Sequence, residues 1–193
     1  MSLTFITGPV RSGKSSLAER LARNAPAVTV VAAGRPSDDE MARRIDAHQA
    51  RRPDGWRTVE VTPSSLAVSP VSWAACVGDD DVLLLDCLGT LLGALIEAEG
   101  GIGPAPADEA LEATVTEATG RIVEVLTSRA GTTIVVSNEV GWGIVPQYPS
   151  ARLFRDVLGR ANRILAGSAD RAWLVVAGRC IDLKAYPKTE DIT

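Results

Sequence analysis

Cysteine, histidine, lysine and aromatic residues are all scarce in this chain of 193 residues, and each scarcity excludes something. The three cysteines, Cys76, Cys87 and Cys180, are odd in number and form no C-x-x-C pair. That suggests neither a disulfide framework nor a cysteine-based zinc site, and buried thiols are expected instead. No apolar run approaches the roughly 20 residues of a membrane span. Basic residues do not dominate either: the formal net charge is −4 and the isoelectric point about 5.1. This argues against a nucleic-acid or anionic-membrane surface and leaves small molecules as the expected partners. The chain opens Met1-Ser2-Leu3 and enters an apolar run at once, so no signal peptide and a cytoplasmic location are expected. With 46% hydrophobic residues and no Pro/Gly/Ser-rich linker, residues 1–193 read as one domain.

One segment stands out against this background. Gly8-Pro9-Val10-Arg11-Ser12-Gly13-Lys14-Ser15 fits the phosphate-binding pattern G-x-x-x-x-G-K-[ST]. It follows the apolar run Leu3 to Ile6 and precedes a helix-like segment, Ser16 to Arg23. The glycines let the backbone wrap so that successive N–H groups face a polyphosphate, and the next helix adds its positive end. Lys14 is expected to neutralise the β and γ phosphates; the other lysines, Lys184 and Lys188, lie near the end of the chain. The Ser15 hydroxyl is expected on Mg²⁺, which takes hard oxygen ligands and keeps several waters. The chain is therefore read as a nucleotide binder.

Short β-branched runs alternate with helical patterns: Leu3 to Thr7, Val28 to Ala32, Arg57 to Val61, Val82 to Asp86, Thr132 to Ser137 and Ala172 to Ala177. One helix is predicted from about Asp108 to Ser128, with Leu111, Val115, Ala118, Ile122 and Val125 as its apolar stripe. Another is predicted from Ser150 to about Ala166, with Leu153, Val157, Ala161 and Ile164 facing inward. Gly100 to Pro106 is a low-complexity loop. The alternation predicts an α/β fold: a P-loop NTPase-like three-layer domain, its mostly parallel sheet flanked by helices, with ligands at the carboxyl ends of the strands.

Asp86 ends the run Val82 to Leu85, where a P-loop protein holds Mg²⁺ through a carboxylate. His48 is the only histidine. It ends a helix-like stretch from Asp38 and precedes Arg51-Arg52-Pro53 and Trp56-Arg57, a cationic setting suited to a triphosphate. An imidazole with an ordinary pKa near 6.5 is largely neutral at neutral pH and can attack phosphorus without a separate base. A solvated, salt-bridged face is the alternative reading of these arginines, since Asp38, Asp39, Glu40, Asp46 and Asp54 lie close by.

At this point the chain resembles a known family, the bifunctional adenosylcobinamide kinase / adenosylcobinamide-phosphate guanylyltransferases of cobalamin biosynthesis. The matching stretches span nearly its whole length: Ile6 to Ser15; Asp38 to Met41 with Arg44-Ile45 and His48; Arg52-Pro53 with Trp56-Arg57-Thr58 and Glu60; and Leu84 to Leu88. The most specific is Ser137-Asn138-Glu139-Val140-Gly141-Trp142-Gly143-Ile144-Val145-Pro146, followed by Phe154-Arg155-Asp156 and Gly159-Arg160-Ala161-Asn162. The resemblance implies two reactions. A nucleoside triphosphate, ATP or GTP, phosphorylates the aminopropanol hydroxyl of adenosylcobinamide, and GTP then converts the phosphate to the GDP-linked product. His48 matches the family's guanylylated histidine. The resemblance further implies that Ala32, Ala33, Gly34, Arg51, Arg52, Pro53, Glu60 and Asp86 line the GTP site with the phosphate loop, and that Glu60 reads the guanine edge. It also implies a homotrimer, for which the surroundings of Trp73 or Trp142 are candidate contacts. Asp86 and Glu139 are the acidic candidates for activating the hydroxyl.

Four positions depart from the family pattern. Pro9 stands where a second glycine is usual, Gly89 where threonine is, Gly93 where asparagine is common, and Arg163 where glutamine usually follows Asn162. A GTP-driven switch protein, a guanylyltransferase without kinase activity and a kinase of another metabolite would share Lys14, Ser15 and Asp86. Covalent labelling by GTP separates the switch from the transferase, and turnover of the acceptor separates the rest.

Overall fold

The computed structural model describes residues 2–33, 43, 50, 52–101 and 108–192. In chain order these form β1 (Ser2–Thr7), α1 (Lys14–Ala22), β2 (Val28–Ala33), β3 (Arg57–Val61), α2 (Pro63–Val68), β4 (Val82–Asp86), α3 (Leu88–Ala98), α4 (Glu109–Ser128), β5 (Thr132–Val136), α5 (Pro149–Ser168), β6 (Arg171–Val176) and β7 (Arg179–Asp182). The strands make one seven-stranded sheet in the order β3-β2-β4-β5-β1-β6-β7. All pairings are parallel except that of β7, which runs antiparallel to β6.

The strands are apolar on both faces because both faces are covered. Leu83 and Leu85 of β4 and Val135 of β5 pack into one core with Leu91, Leu95, Val115, Ile122 and Leu158 from α3, α4 and α5. Leu84, Ile134 and Val136 point the other way, into a smaller core with Ala18 and Ala22 of α1. A residue-by-residue switch of face is what the period of a strand requires, and a parallel sheet with buried faces supplies partners on each side. The three-layer architecture expected from the alternation is the one found.

Local signals account for the helix starts. The Asp108 carboxylate accepts from Leu111 N at 2.8 Å and caps α4. Thr62 and Ser65 form a reciprocal capping box at α2, and Pro149 occupies the first turn of α5. Among the described residues, no helix is long and apolar enough to cross a membrane.

Three expectations are corrected. Ile164 is 48% exposed, because the buried stripe of α5 runs Leu153, Val157, Leu158, Ala161, Asn162 and Leu165. The step from Ala161 into the core is four residues, to Leu165, which leaves Ile164 off the stripe. The thiols are not uniformly buried: Cys76 and Cys180 are exposed and Cys87 is half-buried. Cys76 ends a surface 3₁₀ turn, and Cys180 lies on the edge strand β7. Trp73 itself is buried, its Nε1–H donating to Pro70 O at 3.1 Å, so its own side chain is not a surface contact. Trp142 is 75% exposed.

Candidate functional site

Sheet order sets the location of the site. β1 ends at the glycine-rich loop, β4 ends at Asp86, and β5 lies between them. The carboxyl ends of these three strands therefore converge on one edge, where open α/β sheets bind ligands.

The Gly8–Ser15 loop adopts conformations that its sequence permits. Gly8 has φ 148° and Gly13 φ 104°, both in the region that favours glycine. A Cβ on Gly8 would collide with the Val175 carbonyl. Arg11 also has positive φ, 58°. The loop is fastened on two sides: Glu139 N donates to Gly8 O at 3.1 Å, and Gly178 N donates to Ser12 O at 3.0 Å. Among the described residues, the N–H groups of Val10, Ser12, Gly13, Lys14 and Ser15 donate to no backbone carbonyl. Such donors at a helix N-terminus favour an anion. Pro9 has no N–H to offer, but its carbonyl accepts from Lys14 Nζ at 2.7 Å.

Ser15 Oγ donates to Asp86 Oδ1 at 3.1 Å, which joins the start of α1 to the end of β4 across a separation of 71 residues. Lys14 is buried, and burial draws its pKa below the ordinary lysine value, opposed by the charges of Cys87 and Asp86. Burial pushes the Cys87 thiol up, and Asp86 adds to that rise, while Thr90 and Lys14 oppose it. A lysine ammonium, a carboxylate and a hydroxyl thus meet beside unpaired backbone donors. The buried Ser12 and Thr7 hydroxyls also lack a hydrogen-bond partner there.

The second group of expected site residues is reached in part. Ala32 of β2 is the register partner of Glu60 in β3, and Ala33 that of Val61, so the Ala32–Ala33 and Glu60 positions are brought side by side at the sheet edge. Glu60 is exposed. Arg52 Nη1 donates to Thr58 Oγ1 at 3.0 Å, and Pro53 O accepts from Trp56 N at 3.0 Å. Gly34, His48 and Arg51 lie outside the described residues.

Sequence reasoning assigned no role to the network behind Asp86. Ser137 Oγ donates to Asn162 Oδ1 at 2.6 Å, Asn162 Nδ2 donates to Asn138 O at 3.0 Å, and Asn138 Nδ2 reaches Cys87 Sγ at 3.7 Å. Asn162 is buried, with both ends of its amide satisfied, and it pins the segment after β5 to α5. The available signal was its place in the Gly159-Arg160-Ala161-Asn162 motif, since Asn162 lies outside the predicted apolar stripe. The network also accounts for one departure from the family pattern: a Cβ on Gly89 would stand 3.0 Å from Asn138 Nδ2, so a threonine there needs that amide to move. At Gly93 a Cβ meets nothing within 4 Å.

Comparison with known proteins matches this geometry to a family. The family model for cobinamide kinase / cobinamide phosphate guanyltransferase matches residues 4–183. The bifunctional adenosylcobalamin biosynthesis protein CobU of Salmonella typhimurium is 38% identical over 184 residues, covering 94% of this chain and 99% of that protein. CobU of Escherichia coli is 35% identical, covering 94% and 99%. The corresponding protein CobP of Pseudomonas aeruginosa is 38% identical, covering 95% and 98%. Among solved structures, a prototypical ATPase from the type III secretion system of pathogenic bacteria superposes with a TM-score of 0.57 at 11% identity. That match covers 98% of this chain and 59% of the ATPase chain, and it speaks for the fold alone. With its phosphate loop, its strand-end Asp86 and 35–38% identity to these proteins over nearly its full length, the chain belongs to the cobinamide kinase / cobinamide phosphate guanyltransferase family.

Proposed function

We propose that residues 1–193 act as one catalytic domain whose two reactions share the nucleotide held at the Gly8–Ser15 loop. In the first, the hydroxyl of adenosylcobinamide attacks the γ-phosphorus of ATP or GTP. The bond to the bridging oxygen breaks, the nucleoside diphosphate leaves, and the hydroxyl proton passes to a carboxylate, for which Asp86 and Glu139 are the acidic candidates. In the second, the His48 imidazole attacks the α-phosphorus of GTP and pyrophosphate leaves. A phosphate oxygen of adenosylcobinamide phosphate then displaces the histidine nitrogen, giving adenosyl-GDP-cobinamide.

The observation that carries this reading is the 3.1 Å contact between Ser15 and Asp86 beside a buried lysine and unclaimed backbone donors. The loop amides of Val10, Ser12 and Gly13 would hold the phosphates, with Arg11 alongside. Lys14 would neutralise charge developing on the transferred group. Ser15 Oγ and Asp86 present hard oxygens at one point, a donor set that fits Mg²⁺ with waters completing its shell. Bound there, the ion would supply charge neutralisation on the phosphate oxygens. Ala32, Ala33, Gly34, Arg51, Arg52 and Pro53 would line the GTP site. Glu60, exposed at the edge of β3, would accept from the guanine N1–H and 2-amino group, which adenine does not present in that pattern. We further propose that the chain assembles as a homotrimer and works in the cytoplasm.

The test is incubation with adenosylcobinamide, Mg²⁺ and GTP, followed by mass spectrometry of the corrinoids. The reading expects cobinamide phosphate and then GDP-cobinamide. Recovery of unmodified corrinoid from folded, GTP-binding protein would contradict it.

A further inference from the structure

We propose that the corrinoid acceptor is held in an open cleft of about 520 Å³ lined by Gly141, Arg155, Asp156, Gly159 and Arg160. This inference rests on the activity proposed above and names where its second substrate sits.

Position is the first argument. Glu139 connects the phosphate loop to the cleft: its N–H donates to Gly8 O at 3.1 Å, and its Oε1 accepts from Gly141 N at 3.2 Å. A molecule resting against Gly141 is therefore two residues from Glu139, which touches the nucleotide loop. Asn162 anchors that segment to α5, the helix that supplies the other wall.

Chemistry is the second. Arg155, Asp156, Gly159 and Arg160 lie on one face of α5, opposite its buried stripe. Among the described residues, Arg155, Asp156 and Arg160 make no hydrogen bond or ion pair with one another or with any other group. Cobinamide is a flat ring fringed with primary amides, and each amide presents a carbonyl acceptor and two N–H donors. Two guanidiniums flanking a carboxylate match both, whereas a bare polyphosphate would meet Asp156 as a like charge. Trp142, next in the chain to the lining residue Gly141 and 75% exposed, is an apolar surface within reach of such a ring.

Gly159 is the third. Glycine in a helix interior costs about 1 kcal/mol relative to alanine. A Cβ on Gly159 would meet nothing within 4 Å, so no packing inside the chain requires it. Unlike Gly93 and Gly120, which also meet nothing within 4 Å, Gly159 lines the cleft, where its bare backbone leaves room for a flat ligand to approach closely.

The test is titration calorimetry of cobinamide into the full chain saturated with a non-hydrolysable GTP analogue, using wild type, Gly159→Ala and the double variant Arg155→Ala/Arg160→Ala. Thermal melting and light scattering accompany each titration. Gly159→Ala is expected to melt higher yet bind cobinamide more weakly, and the double variant to bind roughly tenfold or more weakly. The opposed signs for Gly159→Ala cannot arise from damaged folding. Variants that bind cobinamide as wild type does would overturn the cleft while leaving the activity standing, since wild-type turnover reads that separately. A change of subunit number in either variant would make the cleft a contact between copies and overturn the proposal as well. Wild type that neither binds nor phosphorylates cobinamide would remove the activity reading and the cleft together.

Discussion

The phosphate loop and the Arg155–Arg160 face of α5 recognise ligands by different physical means. At the loop the backbone does the work: unclaimed N–H groups, φ values of 148° and 104° at Gly8 and Gly13, and a carbonyl beside Gly8 that leaves no room for a side chain. On α5 the backbone is an ordinary helix, and recognition rests on side chains at its surface. The backbone device constrains residue types so tightly that it appears as a motif in one sequence. The side-chain face reads as any solvated helix surface until the fold shows what lies beside it.

Lys14→Ala should lower kcat/KM of both reactions by roughly 10²–10³-fold, as loss of a charge-stabilising donor does. Because burial lowers the lysine pKa, nucleotide affinity in the wild type should fall on the alkaline side sooner than an ordinary lysine would allow. The ammonium is present below that pKa and lost above it, and Lys14→Arg should remove this alkaline limb. Isothermal titration of GTP across pH checks both statements. Next, Asp86→Asn should raise the Mg²⁺ concentration needed for half-maximal kinase rate by roughly 10–100-fold. An unchanged Mg²⁺ requirement would separate Asp86 from the ion. Asn162→Ala should destabilise the fold by about 1–3 kcal/mol, because Ser137 Oγ and the Asn138 carbonyl lose a buried partner. Denaturant unfolding measures it. A loss confined to kcat without loss of stability would mean the network serves chemistry alone.

Much of the nucleotide end was legible in the sequence. β3 and β4 have the bounds expected from their sequence runs, and Ser15 and Asp86 meet although 71 residues separate them. Elsewhere the periodic signal failed for physical reasons. α3, Leu88–Ala98, is apolar nearly all round and contains Gly89 and Gly93, so it shows no stripe. In α5 the expected stripe held at Leu153, Val157 and Ala161 and slipped by one residue only at its end, because Ile164 and Leu165 are both apolar and only the packing selects between them. The Ser137–Asn162–Asn138 network joins strand, loop and helix through contacts that no local pattern specifies. The exposed Cys180 depends on β7 being an edge strand, a fact of sheet order rather than composition.

The central claim is that one chain both binds GTP at the loop and carries GMP covalently on its single histidine. The most direct measurement incubates wild type and His48→Ala with Mg²⁺ and α-labelled GTP, then denatures at alkaline pH, where a phosphoramidate persists. Label on wild type and none on a folded, GTP-binding His48→Ala protein is the predicted result. Equal labelling of both, or no label on wild type that binds GTP, would contradict it.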